Sequence, residues 1–184
     1  RLEVPASNGG LEGASVTGMA FTLYGGRATF DNSGKTSATN TPPTGSTGNT
    51  GDTNTNSGGT NTLSNTTVWF DDAPPLGAVK DWNVDTWKWV STNPYPESGT
   101  RAHQSANAAG LHQHFFYSAA QTMSVGAGDA LYTWVYIDPA NVPSELMLQW
   151  NDGKSFDHRA YWGANTIDMG TDGTASRHYM GPMP

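Results

Sequence analysis

The chain has no cysteine, only four glutamates and four lysines, and nine Lys and Arg side chains against sixteen Asp and Glu in 184 residues. Each shortage excludes something. Without cysteine there are no disulfides, thiolate metal sites or cysteine nucleophiles, so stability must come from buried apolar surface. Nine scattered cations in a chain of net charge −7 form no stripe that would displace counterions from phosphate, which argues against nucleic acid as a partner. No run approaches the roughly 20 apolar residues of a membrane span, and no basic, apolar and small-residue succession marks a signal peptide. Because the first residue is Arg1 rather than Met, a processed product or a stretch of a longer chain is expected, and secretion remains open.

What is abundant points to strands. Thr (23), Gly (22) and Asn (14) outnumber the good helix formers, so the chain reads as all-β. Seven Trp, seven Tyr and six Phe can build its core.

Three segments follow. In residues 1–34, Leu2 and Val4 alternate with charge, Met19, Phe21 and Leu23 mark one face of a second strand, and 27–30 form a third. That is half a sheet, whose apolar faces need partners from elsewhere. In residues 35–67, 16 of 33 are Ser or Thr and only Leu63 is a large aliphatic, so this stretch forms no core. It reads as a flexible linker or an O-glycosylated stalk with Thr41, Thr44, Thr47, Thr50, Thr53 and Thr55 as acceptors, and Asn65-Thr66-Thr67 is the chain's one N-x-S/T sequon. Residues 68–184 carry strand patterns at 68–70, 87–90, 111–117, 130–137, 145–150, 156–162 and 177–180, with Gly, Pro, Asn and Asp clustered between them. About ten short strands at this spacing predict a sandwich or jelly roll.

The stretches VWFDDAPPLGA, SGTRAHQSANAAGLHQHFFYSA, ELMLQWNDG, HRAYWGAN and RHYMGPMP resemble a bacterial surface module of galactose-binding, jelly-roll type, similar to carbohydrate-binding modules. The resemblance covers about 150 residues, all but the linker, in a rotated order. In that family a segment like RLEVPASNGGLEGASVTGMAFTLYGGRATFD follows the GPMP-like stretch, whereas here it comes first. The resemblance therefore implies a circular permutant, one period of a tandem array cut mid-module, or a segment 1–34 that completes the jelly roll of a neighbouring copy. A 33-residue linker stretches to about 110 Å and averages about 30 Å as a coil, so it can rejoin its own module or reach the next. Neither terminus reads as a domain edge.

Chemistry is sparse. His112-Gln113-His114 places two imidazoles on one strand face, with His103 and His158 on possible neighbouring strands, a grouping that would suit a metal. The cupin spacing is absent, and hydrogen-bonded structural histidines are the favoured reading. Asp31, Asp71 and Asp72 are candidates for a structural calcium, with a turn-capping role as the bland alternative. No cofactor is required. The four glutamates form no glycosidase motif, and nucleophile-elbow and P-loop patterns are missing. For sugar stacking the candidates are Trp82, Trp87, Tyr95 and Trp162, with Trp89 beside them and Asn93, Gln104, Asp157 or Arg159 as polar partners. The same aromatics also suit a core.

The leading expectation is a non-enzymatic structural subunit or repeat of an extracellular or cell-surface fibre. Residues 1–34 would complete the sandwich of an adjacent copy, giving a head-to-tail homopolymer with an ordered, glycosylated linker. The alternative is a circularly permuted carbohydrate-binding module, closed on itself, that binds glycans.

Overall fold

The computed structural model describes residues 1–39 and 63–184. Its regular elements are fourteen strands: β1 (Leu2–Pro5), β2 (Ser15–Val16), β3 (Gly18–Tyr24), β4 (Ala28–Thr39), β5 (Leu63–Phe70), β6 (Val79–Asn83), β7 (Lys88–Val90), β8 (Ala102–Gln104), β9 (Leu111–Tyr117), β10 (Met123–Ser124), β11 (Ala130–Ile137), β12 (Glu145–Asn151), β13 (His158–Gly163) and β14 (His178–Gly181). The all-β expectation holds. Among the described residues no helix is long and apolar enough to cross a membrane.

The strands form two six-stranded sheets and a two-stranded ribbon of β2 and β10. The first sheet runs β1-β11-β4-β8-β7, with β5 also paired to β4, and the second runs β14-β13-β12-β3-β9-β6. Alternation drives their association. On β9 the side chains of His112, His114 and Phe116 are buried while their neighbours are half-buried, as a strand with one core face requires. Phe21 of β3 and Phe30 of β4 meet between the sheets, ring centroids 4.8 Å apart. They share one core with Leu23, Phe70, Phe116, Leu131, Leu148 and Trp150. Two tryptophans at this core keep their polar atoms paired: Trp69 Nε1–H donates to the Gln121 carbonyl and Trp87 Nε1–H to that of Phe115.

Of the strands that begin within residues 1–34, β3 and β4 occupy the middle of the two sheets, while β1 lies at an edge of the first. β3 lies between β12 and β9, and β4 lies between β11 and β8. All these pairings are made within the same chain. Without β3 the second sheet would fall into two parts, and without β4 the first would fall into three, since β5 pairs only with β4.

Pairing also runs beyond position 34. Residues 35–39 and 63–67, counted with the linker on composition, form the distal ladder of β4 with β5. Threonine, abundant here, is enriched in strands because its β-branched side chain suits a pleated surface. Gly34 permits a close approach of the two backbones: a Cβ there would collide with the Thr67 carbonyl oxygen, at a register shift between Ser33 and Gly34.

Candidate functional site

A groove crosses the outer face of the first sheet. Thr29 and Gln104 are partners across β4 and β8, and Asp31 and Trp134 across β4 and β11. The segment between β7 and β8 brings Pro94, Tyr95 and Glu97 over this face. Two adjoining cavities of about 270 and 420 Å³ share Thr29, Pro94, Tyr95 and Tyr136 as walls. Arg1, Asp31 and Trp134 line one end, while Arg27, Gln104 and Asp138 line the other. Arg27 is committed to Asp138, its Nε donating at 2.9 Å. Tyr95 is 78% exposed, and Tyr136 is exposed as well. The groove thus offers aromatic rings beside fixed polar groups, a mixture that suits a polar ligand with apolar faces.

At one end of the groove a carboxyl cluster ties down the β7–β8 segment. Asp31, 6% exposed, accepts the N–H groups of Glu97 at 2.7 Å and Ser98 at 3.1 Å through Oδ2. Its Oδ1 accepts the N–H of Asn32. Ser98 Oγ donates to Asp71 Oδ2 at 2.6 Å and accepts from Asn32 Nδ2. Burial, reinforced by the neighbouring Asp71 carboxyl, pushes Asp31 up to about 6 even though the two backbone N–H groups oppose the shift.

The calcium candidates are therefore only partly brought together. Asp31 and Asp71 meet. Asp72 turns to the next stretch, where it accepts the N–H groups of Thr100 and Arg101 at 2.7 and 2.8 Å and the Thr100 hydroxyl. Those hydrogen bonds, the Thr100 N–H first, hold its carboxyl below the usual range. Calcium asks for six or more oxygens. Among the described residues no group of three or more His, Asp or Glu side chains is arranged to hold a metal. In this arrangement Asp31 and Asp72 each accept backbone N–H groups and clamp the loops that donate them, while Asp71 Oδ1 is buried without a partner.

A second polar cluster lies inside the core. Asp85, His103, His112 and His114 are all fully or almost fully buried. His112 Nδ1 lies 2.9 Å from Asp85 Oδ1, and His114 Nδ1 lies 3.3 Å from Asp85 Oδ2. His114 Nε2 lies 2.8 Å from His103 Nδ1. With Asp85 ionised this chain permits one proton arrangement: both Nδ1–H groups of the β9 pair donate to the carboxylate, and His103 Nδ1–H donates to His114 Nε2. His103 Nε2 is left as a bare, buried acceptor without a partner.

The electrostatics follow from that arrangement. Burial works to raise Asp85, but hydrogen bonds from His112 and His114 outweigh it and bring the carboxyl down to about 2. For His112 burial is outweighed by the Asp85 bond and charge, so its pKa rises. Burial lowers His114 despite the Asp85 bond, and burial lowers His103 further, since a proton on His114 would repel one on His103. The expected histidine grouping therefore exists for three of its four members. His158 lies elsewhere, with Nδ1 on the Gly9 carbonyl at 2.7 Å.

The sugar-stacking candidates scatter. Trp162 is 7% exposed and belongs to the core. Trp87 is half-buried, packed against that core and stacked on Trp89 at 6.0 Å. Trp82 is 52% exposed but stands on β6, at the edge of the second sheet, whereas Tyr95 stands over the first. Asn93 and Gln104 do reach the groove, while Asp157 and Arg159 bond each other away from it. Asn65 is exposed on β5. Thr41, Thr44, Thr47, Thr50, Thr53 and Thr55 lie outside the described residues, as does most of the linker.

Sequence reasoning missed Trp134 and Tyr136, which read as ordinary strand residues, and Asp85, which is remote in sequence from the histidines it anchors. The available signal for the tyrosine was alternation: Trp134 and Tyr136 share the outward face of β11. No family model, curated protein or solved structure matches the chain.

Proposed function

We propose that the protein is a non-enzymatic structural subunit or repeat of an extracellular bacterial fibre. In this reading the sandwich is a jelly roll, and residues 1–34 complete the body formed by residues 68–184 of the adjacent copy. One observation carries it: the body lacks the central strand of both sheets, and β3 and β4 supply them. Exchange between copies would preserve every one of these pairings, because the contacts are the same whichever chain donates the strands. The connection from Thr39 to Leu63 reaches about 80 Å, more than the roughly 30 Å width of such a module. Its Ser/Thr-rich composition and the exposed Asn65 sequon support glycosylation and a surface location. Electron microscopy of native material, followed by the mass of the chain released on denaturation, tests the reading. Fibres releasing a chain near 20 kDa plus sugar are expected for strand exchange. Fibres that release only much longer chains would indicate a tandem-repeat polypeptide, and dispersed monomers would defeat the fibre.

A second reading is favoured by the groove under Tyr95. A module closed on itself, with exposed Tyr95 and Tyr136 beside Thr29, Asp31 and Gln104, suits a saccharide whose ring stacks on the aromatics. Binding of monomeric protein to soluble polysaccharides, lost in Tyr95→Ala, would support it.

A further inference from the structure

We infer that the buried imidazole chain is an acid-sensitive latch, which holds the inserted strands β3 and β4 in the body at neutral pH and releases them as the pH falls. This deepens the assembly reading and rests on it only for the question of which copy donates the strands.

The latch lies on the seam between insert and body. The body contributes Asp85, His103 of β8, and His112 and His114 of β9. The insert contributes Phe21, Phe30 and the Gly25 carbonyl. Phe21 is the register partner of His114, and Phe30 that of His103. The Phe21 ring centroid lies 4.5 Å from that of His103 and 5.4 Å from that of His114. Phe30 stacks on His103 at 5.7 Å. His112 Nε2 reaches the Gly25 carbonyl, in the turn joining β3 to β4, at 3.3 Å. The two phenylalanines that close the core are therefore seated directly on imidazoles.

The hydrogen-bond chain leaves no favourable place for another proton. His114 already donates through Nδ1 and accepts through Nε2, so a second proton there would break its bond to His103. A proton on His103 Nε2 would have no acceptor, since that atom is buried and unpartnered. The remaining walls of His103 are rings, Trp87, Trp89 and Phe70. Once β3 and β4 leave, both histidines meet water and take up protons near pH 6.5, so acid favours the released state. Burial keeps His103 and His114 below that value while the strands are seated. Asp85 and His112 form the acid-resistant part, because their mutual bond favours the charged forms of both.

Other charged groups on the packed elements act elsewhere. Lys88 of β7 bonds Gln104, and Lys80 and Asp81 of β6 are exposed. Glu145 of β12 accepts from Thr166 and Ile167, inside the body. Asp31 of β4 opposes the latch below about 6, where the seated strand holds a proton that the released strand gives up. Two histidines against one carboxyl leave a net uptake of at most about one proton on release, and so a shift toward release of up to about tenfold per pH unit below 6.

Hydrogen exchange of the full-length protein, read by mass spectrometry between pH 7 and 5 and corrected for intrinsic exchange, tests this. The expected result is that residues 18–34 lose protection by up to about tenfold per pH unit below 6, while β13, which pairs with neither β3 nor β4, keeps its own. His103→Leu should flatten that dependence. Equal protection of β3 and β4 at pH 7 and 5, or equal loss in all strands, would overturn the latch even if the variant failed to fold. Electron microscopy of the same samples separates the two readings. Monomers at pH 7 would remove the fibre and leave the latch standing, whereas fibres whose β3 and β4 stay protected at pH 5 would remove only the latch.

Discussion

Asp85 Oδ1 lies 2.9 Å from His112 Nδ1, inside the core, although 27 residues separate the two in the chain. The preceding residue, Val84, takes φ +68°. Asp85 joins β9 to the start of the β7 approach and also accepts the N–H of Ala106 at 2.9 Å, so one side chain ties three stretches of the body together.

Replacing Asp85 leaves two histidine N–H groups and a backbone N–H buried without acceptors. Asp85→Leu is expected to cost about 3–5 kcal/mol, the usual consequence of breaking a buried charged pair. Urea unfolding should show a lower midpoint with an unchanged slope.

Val84 is a β-branched residue in a left-handed conformation, and it is 62% exposed. Little burial is lost on truncation, and about 1–2 kcal/mol of steric cost disappears. The added backbone freedom costs roughly 0.5–1 kcal/mol. Val84→Gly should therefore be neutral to stabilising by about 1 kcal/mol, seen as an unchanged or slightly raised Tm. A fall of several degrees would contradict the strain.

Asp31 works in the opposite sense to the histidines in the pH dependence of stability. Its folded-state carboxyl is pushed up to about 6 from an ordinary 3.8. The stabilisation is fully present below about pH 4 and is lost as the pH rises through 6. Asp31→Asn should remove this slope between pH 4 and 6 in a series of urea midpoints. A slope identical to that of the parent protein would show that Asp31 does not titrate in this window.

Gly34 has no room for a side chain, since a Cβ would meet the Thr67 carbonyl oxygen. Gly34→Ala is expected to cost about 1–3 kcal/mol, as overpacking does. Hydrogen exchange should speed up first at the β4–β5 ladder around Thr67 and Val68.

Phe21 packs against the His103 and His114 imidazoles as well as Phe30 and Phe70. Phe21→Ala should cost about 3–5 kcal/mol, measured by denaturant unfolding. Tyr95→Ala, at an exposed groove wall, should leave stability within about 0.5 kcal/mol of the parent.

The amino-acid sequence by itself determined the all-β class and several strands closely. Residues 111–117 and 130–137 were legible because their apolar and aromatic side chains recur at the spacing of a pleated strand. It also marked residues 1–34 as incomplete, since their apolar faces had no partners nearby. Strands β6 and β8 were not legible. All five residues of β6 are exposed, so no alternation marks it, and β8 buries Ala102, His103 and Gln104 in succession, three residues without the alternation of a strand that has one core face.

Only the tertiary structure decided which residues act together. Asp85 with its histidines, Asp31 with Asp71 and Ser98, and Tyr95 with Tyr136 are each assembled from distant stretches. Strand periodicity is a local property, fixed by the two-residue repeat of the backbone, and can be read along the chain. Side-chain clusters depend on sheet order and register, which arise from long-range pairing and leave no comparable trace in local sequence.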